Sequence, residues 1–189
     1  MKDNKESRVK SLVMADLAHP PLEIGADVRK LPLHVTLVPP FHHERLVTSH
    51  IARLIGEKLG GIRPFTITAL HEEEMTANKK HETVRVRRVG AKTLYTVHNL
   101  LMPVVLGLPE EFEQAGLPEK FQQIDIDTRH TGINYKPHAT PTETQRLNIG
   151  EKRDINALYL MQKVKLSNSH PMWYVAAKYP LGKDNETAS

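Results

Sequence analysis

The sequence predicts an α+β fold, with two lobes of largely antiparallel sheet and flanking helices meeting at a cleft. Three observations carry that prediction. Strand-like segments bounded by turn residues outnumber helical ones. Their order is strands, helix, two strands, then helix, strand and hairpin. Two of the strand-like segments, about a hundred residues apart, repeat one pattern: His34-Val35-Thr36 and His138-Ala139-Thr140.

Residues 1–10 and 183–189 are polar and read as flexible tails. Val9 to Leu17 reads as a first strand, closed by His19-Pro20-Pro21. Leu33-His34-Val35-Thr36-Leu37 alternates apolar and polar side chains, as a strand with one buried face does, and Pro39-Pro40 turns the chain after it. From Glu44 to Leu59, Leu46, Val47, Ile51, Leu54, Ile55 and Leu59 recur at helical spacing until Gly60-Gly61 stops the pattern. Phe65 to Leu70 and Thr83 to Val89 read as strands, and the polar run His71 to Lys80 between them as a solvated loop. A helix follows from Lys92 to Leu106, with Pro103 expected to kink it or end its regular part. Residues 107–133 form a long excursion with a short helix near Pro118 to Gln123. Ile155 to Leu166 and Met172 to Tyr179 flank Ser167-Asn168-Ser169-His170-Pro171 as a closing hairpin.

A chain of 189 residues suits a single bilobal domain spanning 1–189. It has no cysteine, which excludes disulfides, thiol catalysis and cysteine-ligated metal and fits a reducing, cytoplasmic setting. No apolar run reaches the roughly 20 residues of a membrane helix, and the charged start Met1 to Ser7 has no signal-peptide core behind it. A net charge of +4 with a pI near 9.2 favours phosphate-bearing ligands but is too small for a dedicated nucleic-acid binder.

The repeated pattern carries the chemistry. In a strand, residues i and i+2 face one side, so each segment presents an imidazole and a hydroxyl together. Imidazole titrates at about 6.5, so two of them can divide the work of acid and base near neutral pH. With 11 histidines in the chain, His-x-Ser/Thr should occur about once by chance, and it occurs three times. The third copy, His81-Glu82-Thr83, follows the polar run and is set aside.

Leu33-His34-Val35-Thr36-Leu37-Val38-Pro39-Pro40-Phe41 and Tyr135-Lys136-Pro137-His138-Ala139-Thr140 resemble the two motifs of the 2H phosphoesterases, the superfamily of 2′-5′ RNA ligase-like proteins and RNA cyclic phosphodiesterases. The resemblance implies a pseudo-two-fold arrangement of two similar lobes, each with one motif on a central strand. It implies a phosphodiesterase acting without a metal or other cofactor on 2′,3′-cyclic phosphate or 2′-5′ linked RNA ends or nucleotides. His34 and His138 would be the acid/base pair, and Thr36 and Thr140 the hydroxyl donors to the phosphate. Lys136 would add a positive charge, by alternation with His138. The implied partners are RNA ends or small nucleotides; no membrane partner is expected from the short apolar runs, and a monomer is the default. The sequence departs from the family pattern at Pro141, which cannot donate a ladder hydrogen bond, so the second motif strand is expected to end early or sit beside a bulge. That departure is the basis of the alternative, a non-catalytic RNA- or nucleotide-binding module on the same fold.

Ordinary roles stand beside these. Phe41 reads as a core aromatic, Tyr135 as packing beside the motif, and Arg85, Arg87 and Arg88 as solvated strand charge. His42-His43 invites a metal, but adjacent strand residues point apart.

Overall fold

The computed structural model describes residues 7–76, 83–129, 131–165 and 170–182. Ten strands and four α-helices appear there: β1 (Arg8–Asp16), β2 (Asp27–Val28), β3 (His34–Glu44), α1 (Thr48–Leu59), β4 (Phe65–Thr76), β5 (Thr83–Gly90), α2 (Lys92–Leu106), α3 (Leu108–Gln114), α4 (Glu119–Gln122), β6 (Asp125–Ile126), β7 (His138–Ala139), β8 (Lys152–Ile155), β9 (Ala157–Val164) and β10 (Met172–Pro180). The strands form one curled, antiparallel sheet in the order β2-β10-β9-β1-β3-β7-β5-β4-β8, with β6 added beside β3. Outward from the centre, the halves run β3-β1-β9-β10 and β7-β5-β4-β8. Each half thus begins with a strand carrying one His-x-Thr pattern, and the two meet antiparallel.

Alternation sorts the side chains onto two faces. Val13, Ala15, Val35, Leu37, Ile67, Ala69, Val89 and Ala139 point to one face, covered by Ile51 and Ile55 of α1 and by Leu94, Val97 and Leu101 of α2. Each fully buried aliphatic side chain contributes roughly 1.5–3 kcal/mol, so this core dominates the fold. Leu12, Met14, Tyr159, Met161, Trp173 and Val175 form a smaller cluster, on the opposite face of β1, beneath Leu22, Ala26, Val28 and Leu31. His34 and Thr36 lie on that second face, beside the cluster rather than under it.

Several boundaries differ from those expected. β1 starts at Arg8, one residue before the strand expected from Val9, so the tail expected over residues 1–10 gives way to strand at Arg8, Val9 and Lys10. β3 continues through Pro39-Pro40 to Glu44. Ser11 pairs with Phe41 and Val13 with Val38, so two β3 residues oppose one of β1, and the bulge accommodates prolines that have no N–H to donate. A 3-10 turn at Arg45–Val47 therefore precedes α1, which starts at Thr48. Gly61 adopts φ +84 just past the helix, the left-handed conformation glycine tolerates best.

The run from His71 is strand as far as Thr76 rather than loop. Glu72 and Glu74 lie opposite Arg87 and Arg85 of β5 and pair with them, while Glu73, opposite Val86, pairs with Arg88. α2 continues through Pro103 to Leu106. The excursion contains α3 as well as the expected α4. The strand expected from Ile155 to Leu166 is two strands broken at Asn156: β8 pairs with β4 at one edge of the sheet, and β9 with β1 in the other half. β9 and β10 form the expected pair, although most of the expected turn and the discarded His81 fall outside the described residues.

Candidate functional site

The two motifs meet where the halves join. Val35 is paired with Ala139, so antiparallel register sets His34 opposite Thr140 and Thr36 opposite His138 on one face. The neighbouring strands extend these rows. Asp16 lies beside His34, Met14 beside Thr36, and Arg88 beside His138. The histidines occupy a diagonal of this four-residue square, where cross-strand geometry puts residues roughly 7–8 Å apart. The ladder ends at Ala139, as the proline after Thr140 led one to expect. Thr140 is exposed, and with His34 it lines a cavity of about 270 Å³ rimmed by Pro32 and by the Lys30–Glu143 ion pair.

Both imidazoles are oriented by the same local device. His34 Nδ1–H donates to the carbonyl of Pro32 at 2.7 Å, and His138 Nδ1–H donates to the carbonyl of Lys136 at 2.8 Å. A carbonyl only accepts, so each ring carries its proton on Nδ1 and leaves Nε2 as the titrating nitrogen. Burial holds the His34 pKa below that of an ordinary imidazole, and His138 nearby acts in the same direction. The Asp16 carboxylate opposes them. Asp16 itself accepts hydrogen bonds from the backbone N–H groups of Ala18 and Leu22, yet burial raises its pKa.

Two residues from the other face brace the first motif. The Tyr135 hydroxyl donates to the carbonyl of Thr36 at 3.0 Å, and its ring stacks on His98 at 3.8 Å between centroids. His98, fully buried in α2, donates from Nδ1 to the carbonyl of Leu37 at 2.7 Å and accepts the Gly132 N–H at Nε2. Tyr135 thus packs beside the motif as expected and also bonds to it. Nothing in the sequence singled out His98: one histidine on an otherwise apolar helical face looks like any other core position.

The charged residues differ from expectation. Arg85 is exposed, but the side chains of Arg87 and Arg88 are only 14% and 13% exposed, because β5 lies between β7 and β4 rather than at an edge. Arg87 donates to the carbonyls of Leu70 and Leu147. Arg88 pairs with Glu73 at 3.2 Å, while its Nη1 is buried with no hydrogen-bond partner. Lys136 lies before β7 starts, and its ammonium is 3.5 Å from the same Glu73. Its charge is therefore shared with a carboxylate, and its carbonyl orients His138.

His42 and His43 point apart. His42 lies 3.8 Å from Asp125. His43 is buried, stacks on the core residue Phe41, donates from Nδ1 to the Glu44 carbonyl and accepts the Ser11 hydroxyl at 2.8 Å. This Ser-His pair is sealed from solvent, which leaves no approach for a substrate. Among the described residues, no three His, Asp or Glu side chains cluster as a metal site.

No protein-family description and no curated protein matches the sequence. Solved structures do match its fold. TT0787 of Thermus thermophilus has 14% identity and a TM-score of 0.54, covering 91% of this chain and 97% of that one. A structure described as a phosphoesterase has 14% identity and a TM-score of 0.52, covering 93% and 99%. LigT of E. coli in complex with 3′-AMP has 14% identity and a TM-score of 0.51, with the same coverages. LigT has also been solved with phosphate. The curled antiparallel sheet with its few helices is the fold of these proteins, in line with the resemblance of the motifs.

Proposed function

We propose that this protein is a phosphodiesterase of the 2H type, acting on 2′,3′-cyclic phosphate or 2′-5′ linked RNA ends or nucleotides. One observation supports this above the others: two imidazoles on facing strands, each fixed in the Nδ1–H tautomer by the carbonyl two residues before it. Hydrolysis of a 2′,3′-cyclic phosphate needs a base to take a proton from water as its oxygen bonds to phosphorus. It also needs an acid to protonate the ribose oxygen as the P–O bond breaks. Nε2 of one histidine supplies the first and Nε2 of the other the second. Thr36 and Thr140 donate hydroxyl hydrogen bonds to the non-bridging oxygens, and Arg88 and Lys136 oppose the negative charge that gathers there. Side chains alone supply acid and base, so the reaction proceeds in EDTA. The 3′-AMP and phosphate bound by LigT, a protein of the same fold, are ligands of this chemical class.

The test is turnover of the four nucleoside 2′,3′-cyclic monophosphates and a 2′-5′ linked dinucleotide in EDTA. Wild type should be active. His34→Ala and His138→Ala should each lose about 10²–10⁴-fold in kcat, the usual worth of one positioned proton transfer, with unchanged circular dichroism. Product regiochemistry then identifies the leaving oxygen. Folded wild-type protein that binds 3′-AMP but turns over none of these substrates would instead establish the binding module, with Thr140 outside the ladder as the reason.

A further inference from the structure

On β1 the residues Lys10, Leu12, Met14 and Asp16 share the face that carries the two motif histidines. Lys10 lies directly opposite Lys163 of β9 on one side and His42 of β3 on the other, with Arg8 two residues away. Like charges placed opposite one another destabilise a sheet. Among the described residues, no carboxylate lies within ion-pair distance of either lysine. The nearby acidic groups are engaged elsewhere or offset: Asp125 lies by His42, and Glu44 stands opposite Arg8. The Lys163 ammonium lies 5.6 Å from the ring of Trp173, which is buried and anchors this end of the strand. Burial and Lys163 both hold the Lys10 pKa down, as expected for an ammonium that faces a like charge. Lys10 is four residues along β1 from Met14, the neighbour of Thr36, which is roughly 13–14 Å at strand rise.

We propose that Lys10 and Lys163 form a backbone-phosphate subsite for single-stranded RNA, so that the substrate is an oligonucleotide end rather than a free mononucleotide. The proposal builds on the phosphodiesterase reading of the histidine site and adds a second anchor on the same face. The terminal phosphate occupies the His34–His138 square. The RNA strand crosses the segment 22–31, and two adjacent internal phosphates a few nucleotides away neutralise the two lysines. A mononucleotide cannot span that distance, so it would not sense the lysines.

Binding decides this independently of turnover. Fluorescence anisotropy with a labelled single-stranded RNA of about eight nucleotides ending in a 3′-phosphate, within the usual span of a single-strand site, would be measured for wild type and Lys10→Gln/Lys163→Gln. Competition by 3′-AMP would be measured in parallel. The double variant should bind the RNA at least tenfold more weakly, and its slope of log affinity against log salt should be shallower by about 1.4, the value for two lost phosphate contacts on a single strand. Lys163→Gln alone should lose about half of that slope, which covers the case of a poorly folding double variant. The constant for 3′-AMP should not change. Unchanged RNA affinity and slope, or an equal loss for RNA and 3′-AMP, would overturn the subsite. Absence of turnover on the same RNA carrying a 2′,3′-cyclic end would overturn the catalytic reading instead and leave the binding comparison to stand on its own.

Discussion

His34 is set apart from the other strand histidines by what surrounds its two nitrogens. Nδ1 is committed to the Pro32 carbonyl, so any change of charge occurs at Nε2, on the side where Thr140 and the cavity lie. Burial disfavours the imidazolium more than Asp16 favours it, and the net direction is downward. His34 should therefore titrate below about 6.5, and one limb of the bell-shaped activity profile should fall below that pH. Asp16→Asn removes the one carboxylate that supports the charged ring and should push the midpoint lower still. An NMR titration of the ring protons reads both effects directly. A His34 midpoint at or above 6.5 would contradict the burial argument, and a midpoint raised by Asp16→Asn would contradict the assigned sign.

His98 shows what holds an element in place. It ties α2 to the Leu37 carbonyl on β3 and to the Gly132 N–H in the segment leading to Tyr135, so one buried ring fixes the backbone beneath one motif and before the other. His98→Leu keeps the volume but leaves a buried carbonyl and a part-buried N–H without partners, each costing about 1–3 kcal/mol. Urea unfolding should show a loss of at least about 2 kcal/mol, and kcat should fall although residue 98 touches no substrate. A stability change under 0.5 kcal/mol would mean water replaces the ring. No pattern in the sequence announces such a brace, since both its partners are backbone groups some thirty or more residues distant. The motif strands were legible because the period of two is local: His34, Thr36 and His138 can be read from five residues each. The run Glu72-Glu73-Glu74 was not, because only the ion-paired Arg87, Arg88 and Arg85 make a charged segment suitable as strand. Nor was the break at Asn156, where strand-forming residues continue on both sides and only the pairing partner changes.

At the scale of the whole molecule, three histidines share one electrostatic situation. His34, His43 and His98 each donate from Nδ1 to a backbone carbonyl, and burial lowers the pKa of each. In the unfolded chain they titrate near 6.5. Between that pH and their lower folded values, the unfolded state binds more protons, and stability rises with pH. Their full contribution is therefore present above about pH 6.5 and is lost as the pH falls toward the folded pKa values. For His98 the loss is also structural, since a proton on Nε2 would displace the Gly132 N–H, whereas the Ser11 hydroxyl beside His43 can turn to accept from a protonated ring. Asp16 works in the opposite sense: its raised pKa stabilises the fold on the acid side, but in a window that opens near the carboxylate value of 3.8 rather than near 6.5. Three such rings stand against one carboxyl, so the histidine effect sets the sign in the mildly acidic range. Urea midpoints measured at pH 7.5, 6.5 and 5.5 should fall slightly from the first to the second and clearly more from the second to the third. His98→Leu, although less stable throughout, should show a smaller drop between pH 6.5 and 5.5 than wild type, because one of the three sites no longer titrates. Equal midpoints at pH 6.5 and 5.5 in the wild type would mean that the buried rings take up protons without cost to the fold.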